Sequence, residues 1–144
     1  MPKQEKQSLL RDKNKSAYKL AGFPKVLWIN LDRFPDRKKY MEEQFSYWEI
    51  PDHHRISGVD GVQYEEYLKG TVPDNMNSGE CACVMSHLNA LKYFVQETNL
   101  DEIIIMEDDV DLETARHWNF TWKELRRYWV DSIFRMENLV ERGV

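Results

Sequence analysis

Residues 101–111 read DEIIIMEDDVD, in which an apolar run of four is followed at once by three carboxylates. Such a short run, three of whose members are β-branched, is typical of a strand buried on both faces, as in a parallel sheet. In open sheets with helices on both faces, ligands bind just beyond the carboxyl ends of the strands. We therefore expect Glu107, Asp108 and Asp109 to lie at a binding edge.

The acidic triplet predicts a bound cation. Two carboxylates ~4 Å apart repel each other by about 4 kcal/mol near a protein surface, so a fold that gathers several of them usually places a cation between them. Oxygen ligands favour Mg²⁺ or Mn²⁺, and such an ion keeps positions for a substrate diphosphate. The alternative is a solvated acidic loop that caps the strand, because charged runs usually lie on the surface.

The composition is that of a globular domain. A chain of 144 residues can bury a substantial core, and 31% charged with 12% aromatic residues is typical of folded proteins. The net charge of −5 is uneven, since residues 1–20 carry +4 and the remainder −9. An acidic body argues against nucleic acid as a partner. No apolar run reaches the ~20 residues that span a bilayer, and the N-terminus lacks the apolar core of a signal peptide.

The two cysteines indicate a reducing location. On a helix, Cys81 and Cys83 would point about 200° apart, so they are poorly placed to form a disulfide. They provide neither a disulfide framework nor a four-ligand zinc site, and we expect a cytoplasmic protein. His53, His54 and His117 lack metal-ligand spacing, and we interpret them as surface residues.

Apolar periodicity predicts alternating strands and helices after a polar, basic tail at residues 1–24. The predicted strands cover residues 25–31, 55–57 and 103–106. The predicted helices cover residues 36–48, 80–98 and about 121–141, the second with Ser78 as its N-cap. The side chains expected to face the core are Met41, Phe45 and Trp48 in the first helix and Val84, Leu88, Leu91 and Val95 in the second. The strand–helix–strand order favours parallel pairing, and the predicted fold class is α/β.

Four motifs follow one another along the chain. They are residues 29–37 (INLDRFPDR), 59–61 (VDG), 79–88 (GECACVMSHL) and 107–109 (EDD). Their order and spacing over residues 25–128 resemble glycosyltransferase family 25, which includes lipopolysaccharide-sugar transferases and collagen β-galactosyltransferases. The resemblance implies a GT-A-like, Rossmann-like α/β fold whose open parallel sheet is flanked by helices. It also implies inverting transfer from a UDP-sugar donor, in many members with a divalent cation.

The resemblance assigns binding roles to residues of these motifs. The implied donor-binding residues are Asn30, Asp32, Arg33, Arg37, Asp60, Gly61, Ser86 and His87. Asn and Asp side chains can bind uracil or ribose, and arginines can pair with phosphate. The implied metal-site residues are Asp109 as a ligand of Mn²⁺ or Mg²⁺, with Asp108 or Glu107 contacting ribose or a bound water. The ion would neutralise charge on the leaving UDP.

Several of these residues have an ordinary structural alternative. Arg37 could form a surface ion pair with a glutamate. Gly61 could be a turn glycine, and His87 could be a satisfied, partly buried histidine. No serine–histidine arrangement indicates a hydrolase.

The chain departs from the family pattern after the acidic motif. Only 35 residues follow Asp109, most of them in the last expected helix, so we interpret the chain as a shortened donor-binding half. Asp111 and Glu113 could serve as the general base of the transfer, but nothing selects either of them. An unpaired sheet edge and an uncovered apolar face would favour a homodimer.

The sequence is compatible with three functions. The first is a glycosyltransferase that moves a hexose, galactose or glucose, from UDP to a glycan or protein acceptor. The second is a catalytically weak or inactive module for nucleotide-sugar binding or assembly. The third is an α/β interaction domain with an acidic pocket, which is disfavoured because the triplet follows a later strand rather than the first.

Overall fold

The sheet has three parallel strands. The computed structural model describes residues 16–63 and 75–130. Its strands are β1 (Val26–Asn30), β2 (His53–Ser57) and β3 (Ile104–Glu107). β1 pairs in parallel with both neighbours, which gives the strand order β2-β1-β3. The prediction of an α/β fold with an open parallel sheet is thereby confirmed.

The described helices follow the expected order. They are α1 (Pro35–Tyr47), α2 (Ser78–Glu97) and the part of α3 that spans residues 122–130. Two short 3-10 helices cover Ala17–Leu20 and Leu112–His117. The remainder of the last expected helix falls in residues 131–144, outside the described residues. Within the described ranges, no helix combines the length and apolar character needed to cross a bilayer.

β1 is the centre of the core because helices pack on both of its faces. All five of its residues are buried. Alternate side chains of a strand point to opposite faces of the sheet. Leu27 and Ile29 belong to a cluster that includes Ala90 of α2, whereas the ring of Trp28 lies 5.7 Å from that of Phe45 on α1. The sheet is therefore flanked by α1 on one face and by α2 on the other.

α1 buries the face that the sequence predicted. Met41 and Phe45 are almost fully buried, and so is Trp48, which follows the last helical residue. The helix begins at Pro35, which is favoured at a first helical position because its missing N–H would have no helical acceptor there. The spacing i, i+4, i+7 thus identified the buried face correctly, with the helix boundaries displaced by one residue.

The predicted core face of α2 was wrong. The four side chains expected to face the core are 47–75% exposed: Val84, Leu88, Leu91 and Val95. The side chains that are buried instead are Ala82, Ser86 and Ala90, all small. Tyr93 and Phe94 are partly buried and pack against the cluster that contains Ala90, so the helix turns a different face to the core from the one predicted. The cap also differs, because Asn77 and Glu80 form a reciprocal capping box and Ser78 is the first helical residue.

His53 is not the surface residue that we expected. It opens β2, its Nδ1 accepts a hydrogen bond from the indole N–H of Trp28 at 3.2 Å, and its ring stacks on Phe45 at 4.4 Å. Partial burial lowers the pKa of the His53 imidazole below its ordinary value of 6.5. The other two histidines, His54 and His117, are exposed as predicted.

The described chain forms two compact units. The first contains residues 16–23, 46–50 and 111–130, and the second contains residues 24–45, 51–63 and 75–110. In the first unit, the ammonium of Lys19 donates hydrogen bonds of 2.6 Å to the carbonyls of Arg116 and Trp118. The domain boundary expected after residue 24 stays a prediction.

Candidate functional site

The candidate site is a cleft in the second unit, at the carboxyl ends of the strands. Because β1, β2 and β3 run in parallel, these ends lie at one edge of the sheet. The cleft has a volume of about 270 Å³. Its lining includes seven of the eleven residues that we predicted for the site, namely Arg33, Arg37, Gly61, Ser86, His87, Glu107 and Asp108. The other four, Asn30, Asp32, Asp60 and Asp109, lie outside the lining.

Asn30, the last residue of β1, lies beneath the cleft, bonded to the lining residue Asp108 and to Arg55 in the middle of β2. Only 1% of it is exposed, and its Nδ2 donates a 2.7 Å hydrogen bond to the carboxylate of Asp108. Its Oδ1 accepts a 2.9 Å hydrogen bond from Nε of Arg55 on β2. Since its polar atoms are occupied within the protein, Asn30 positions the neighbouring groups and is not itself accessible to a ligand.

Two arginines hold positive charge at the cleft. The guanidinium carbons of Arg33 and Arg37 lie 4.4 Å and 4.7 Å from the centre of the Phe34 ring. Arg33 also pairs with Asp60 at 2.7 Å, and Arg37 pairs with Asp108 at 3.4 Å. Both arginine side chains are about half exposed, so they can reach a ligand while they keep these partners. The partner of Arg37 is an aspartate and not the surface glutamate that we considered.

Asp32 takes part in a separate network on β2. Its carboxylate accepts hydrogen bonds of 2.6 Å from Arg55 and 2.9 Å from Ser57. The bond from Arg55 is the main cause that lowers the pKa of Asp32 below its ordinary value. Sequence reasoning missed Arg55, which binds both Asn30 and Asp32, because contacts between neighbouring strands depend on their register.

Gly61 and Ser86 fix one wall of the cleft. A Cβ atom on Gly61 would lie 2.9 Å from the carbonyl oxygen of Ser78, so this close approach of the loop to α2 requires glycine. The hydroxyl of Ser86 accepts a 2.8 Å hydrogen bond from the backbone N–H of Val59 and donates one to the carbonyl of Ala82. Both residues therefore shape the wall through packing and hydrogen bonding.

The lining also carries a cluster of Cys83, His87 and Glu107. The carboxylate oxygen Oε1 of Glu107 lies 3.0 Å from Nε2 of His87 and 3.3 Å from Sγ of Cys83. The hydrogen bond with His87, followed by that from Cys83, lowers the pKa of Glu107, while the same carboxylate raises the pKa of the Cys83 thiol. Sequence reasoning missed Cys83, although its four-residue spacing from His87 was a usable signal.

The acidic triplet is divided among three environments. Asp108 is buried and bonded to Asn30 and Arg37, whereas Glu107 faces the cleft. Asp109 is exposed, and among the described residues its side chain makes no hydrogen bond or ion pair. Mg²⁺ is usually held by one or two carboxylates, with water and phosphate completing its coordination. Asp109 fits such an ion, whereas the oxygens of Asp108 and Oε1 of Glu107 already have partners within the protein.

Comparison with known proteins identifies the family. The sequence model of glycosyltransferase family 25, described as a lipopolysaccharide biosynthesis protein family, matches residues 23–137. The chain belongs to glycosyltransferase family 25. "Putative glycosyltransferase R655" of Acanthamoeba polyphaga mimivirus is 24% identical over 95 residues, which are 62% of this chain and 29% of that protein. The chain thus spans less than a third of the length of this relative. No solved structure matches the chain.

Proposed function

We propose that the cleft binds the diphosphate and adjoining groups of a UDP-hexose, as the donor site of a hexosyltransferase. The observation that carries this proposal is the pair of arginines, Arg33 and Arg37, at the edge where three parallel strands end. Guanidinium groups are suited to phosphate because they donate parallel hydrogen bonds. The acceptor would be a glycan or a protein, and galactose or glucose is the expected sugar.

The size of the cleft sets what it can hold. Its volume of about 270 Å³ lies just below the ~300–1,000 Å³ of typical ligand pockets. A diphosphate with an adjoining ring is therefore a better match than a complete donor together with its acceptor. Gly61 supports this assignment because it lets its loop lie close to the start of α2 and keeps the cleft narrow. A side chain there would clash with the backbone of α2.

A divalent cation, Mn²⁺ or Mg²⁺, belongs to this proposal. Bound at the edge of the cleft, it would supply electrostatic stabilisation of the leaving diphosphate. Asp109, which follows the lining residue Asp108, is the residue that would hold it, with water and phosphate completing its coordination. Asn30 and Arg37 fix the carboxylate of Asp108, which keeps the end of β3 in position for this role.

The second candidate is a nucleotide-sugar-binding module that does not transfer the sugar. It is favoured because carboxylates that could act as a general base already have hydrogen-bond or ion-pair partners within the protein. Glu107 bonds with His87 and Cys83, Glu113 pairs with Arg116 at 2.9 Å, and Asp111 accepts a hydrogen bond from the N–H of Glu113. The cytoplasmic location and the homodimer stay predictions under either function.

Calorimetry with UDP, with and without Mn²⁺, tests donor binding. Loss of one charge-assisted phosphate contact costs about 1.5–3 kcal/mol, so Arg37→Ala should weaken UDP binding by roughly 10- to 150-fold. Lys39→Ala is the matched control, because Lys39 is an exposed cation of the same helix whose ion pair, at 3.9 Å, is with Glu43. Asp109→Ala should reduce the effect of Mn²⁺. Equal affinity in the Arg37 and Lys39 variants would refute the assignment, and absence of UDP binding would favour an interaction domain.

Release of UDP from a UDP-hexose separates the two candidates. A transferase releases UDP, by slow hydrolysis or in the presence of an acceptor, in proportion to the enzyme present. A binding module binds the UDP-hexose and releases it unchanged. UDP binding without UDP release would therefore support the second candidate.

A further inference from the structure

The cluster of Cys83, His87 and Glu107, here called the mixed-ligand cluster, brings three different ligand atoms to one point of the cleft. A sulfur, an imidazole nitrogen and a carboxylate oxygen all lie within 4.8 Å of one another. Cys83 and His87 are four residues apart on α2 and therefore share one face of the helix. Glu107 meets them from the last position of β3. Two rigid elements thus hold the three side chains together.

We propose that the mixed-ligand cluster binds one Zn²⁺ ion. Thiolate and imidazole ligands select zinc and similar ions, whereas Mg²⁺ and Mn²⁺ prefer an all-oxygen set. The site therefore differs in its chemistry from the hard-cation site proposed at Asp109. It does not depend on the proposed nucleotide binding, because the three ligands come from the protein alone.

The observed separations are close to those of a tetrahedral zinc site. With Zn–S near 2.3 Å and Zn–N and Zn–O near 2.0–2.2 Å, the ligand atoms of a tetrahedron are about 3.4–3.6 Å apart. Glu107 Oε1 lies 3.0 Å from the nitrogen of His87 and 3.3 Å from the sulfur of Cys83. Both pairs need to move apart by only a few tenths of an ångström. The remaining sulfur–nitrogen pair, at no more than 4.8 Å, would close to the same length through rotation of side chains that are accessible to solvent.

Zinc binding has a defined proton balance. The thiol of Cys83 loses its proton to solvent and coordinates as a thiolate, and His87 coordinates through the unprotonated Nε2 with its proton on Nδ1. The carboxylate of Glu107 then coordinates the ion, and this contact replaces its hydrogen bonds with Cys83 and His87. Three protein ligands leave a fourth position for water or for an oxygen of a ligand in the cleft, which is the arrangement of catalytic and not structural zinc sites.

Titration with Co²⁺, the spectroscopic substitute for Zn²⁺, tests the proposal on the full chain without nucleotide. With a non-thiol reductant present, the wild type should develop a near-ultraviolet thiolate-to-cobalt charge-transfer band that one equivalent of Zn²⁺ removes. Cys83→Ser should lose this band. It should also weaken zinc binding at least 10- to 100-fold, which is the range found when a residue that only hydrogen-bonds to a metal ligand is replaced. Cys81→Ser is the matched control and should keep the band, because Cys81 lies outside the cluster.

The outcomes separate this site from the proposed donor site. No charge-transfer band in the wild type, or a band that survives in Cys83→Ser, would overturn the zinc proposal. Cys83 is exposed, so its replacement by serine should leave the fold intact. Failure to bind UDP would leave the zinc proposal standing, and absence of the cobalt band would leave the donor site standing.

Discussion

The hydrogen bond between Asn30 and Asp108 should make a large contribution to stability, because it joins two buried polar groups. Asn30→Ala removes the 2.7 Å bond to Asp108, the 2.9 Å bond from Arg55 and a 3.2 Å bond to the carbonyl of Phe34. The two bonds to charged groups contribute about 1.5–3 kcal/mol each and the neutral bond about 0.5–1.5 kcal/mol. Water can reach Arg55 and recover part of this loss. We expect the free energy of unfolding to fall by about 3–5 kcal/mol.

A double-mutant cycle isolates the bond that joins the ends of β1 and β3. Urea unfolding of Asn30→Ala, Asp108→Ala and the double variant should give a coupling energy of about 1.5–3 kcal/mol. Asn89→Ala, an exposed position on α2, should change stability by no more than about 0.5 kcal/mol. A coupling energy below about 0.5 kcal/mol would show that the two side chains act independently. The reasoning that places Asn30 beneath the site would then be wrong.

Three further predictions concern the stability of the second unit and are measured by urea unfolding. The pKa of His53 is lowered in the fold, so its contribution to the free energy of unfolding is present above pH 6.5. That contribution is lost as the pH falls from 6.5 through the lower folded-state pKa. His53→Gln should therefore lose less stability than the wild type in this pH window, whereas His117→Gln should behave like the wild type. Asn77→Ala removes the capping box of α2 and should cost about 0.5–2 kcal/mol, an effect that an unchanged midpoint would contradict. Ser86→Ala leaves the N–H of Val59 without its acceptor and should cost about 1–3 kcal/mol, whereas a neutral result would show that water replaces the hydroxyl.

The sequence was informative where one physical factor dominated. The apolar run before the acidic triplet predicted β3 within one residue. The expected burial on both faces was wrong, because β3 is an edge strand of the described sheet and only Met106 in it is buried. Parallel pairing then predicted that motifs from three strand ends meet at one edge, and the contact of Asn30 with Asp108 shows that two of them do. The ion pair of Arg33 with Asp60 links the third motif, residues 59–61, to the motif at the end of β1.

The remaining features depend on strand register and on which face of a helix meets the sheet, neither of which a sequence pattern specifies. The pairing of Ile29 with Glu107 brings Asn30 within reach of Asp108, 78 positions further along the chain. The core face of α2 was predicted from its aliphatic residues, but the helix buries Ala82, Ser86 and Ala90 and packs Tyr93 and Phe94 against the core. Asp109 was expected to be the first metal ligand, yet it lies outside the cleft lining, whereas its neighbours Glu107 and Asp108 belong to it.

Amide chemical shifts during a titration with UDP test the central claim, that the joined strand ends form a nucleotide site. The account predicts that shift changes concentrate in residues 31–37, 59–61, 78–87 and 107–108, the segments that line the cleft. Residues 17–20 and 95–99, none of which lines it, serve as the internal reference. Changes confined to other segments, or no change at saturating UDP with and without Mn²⁺, would contradict the account.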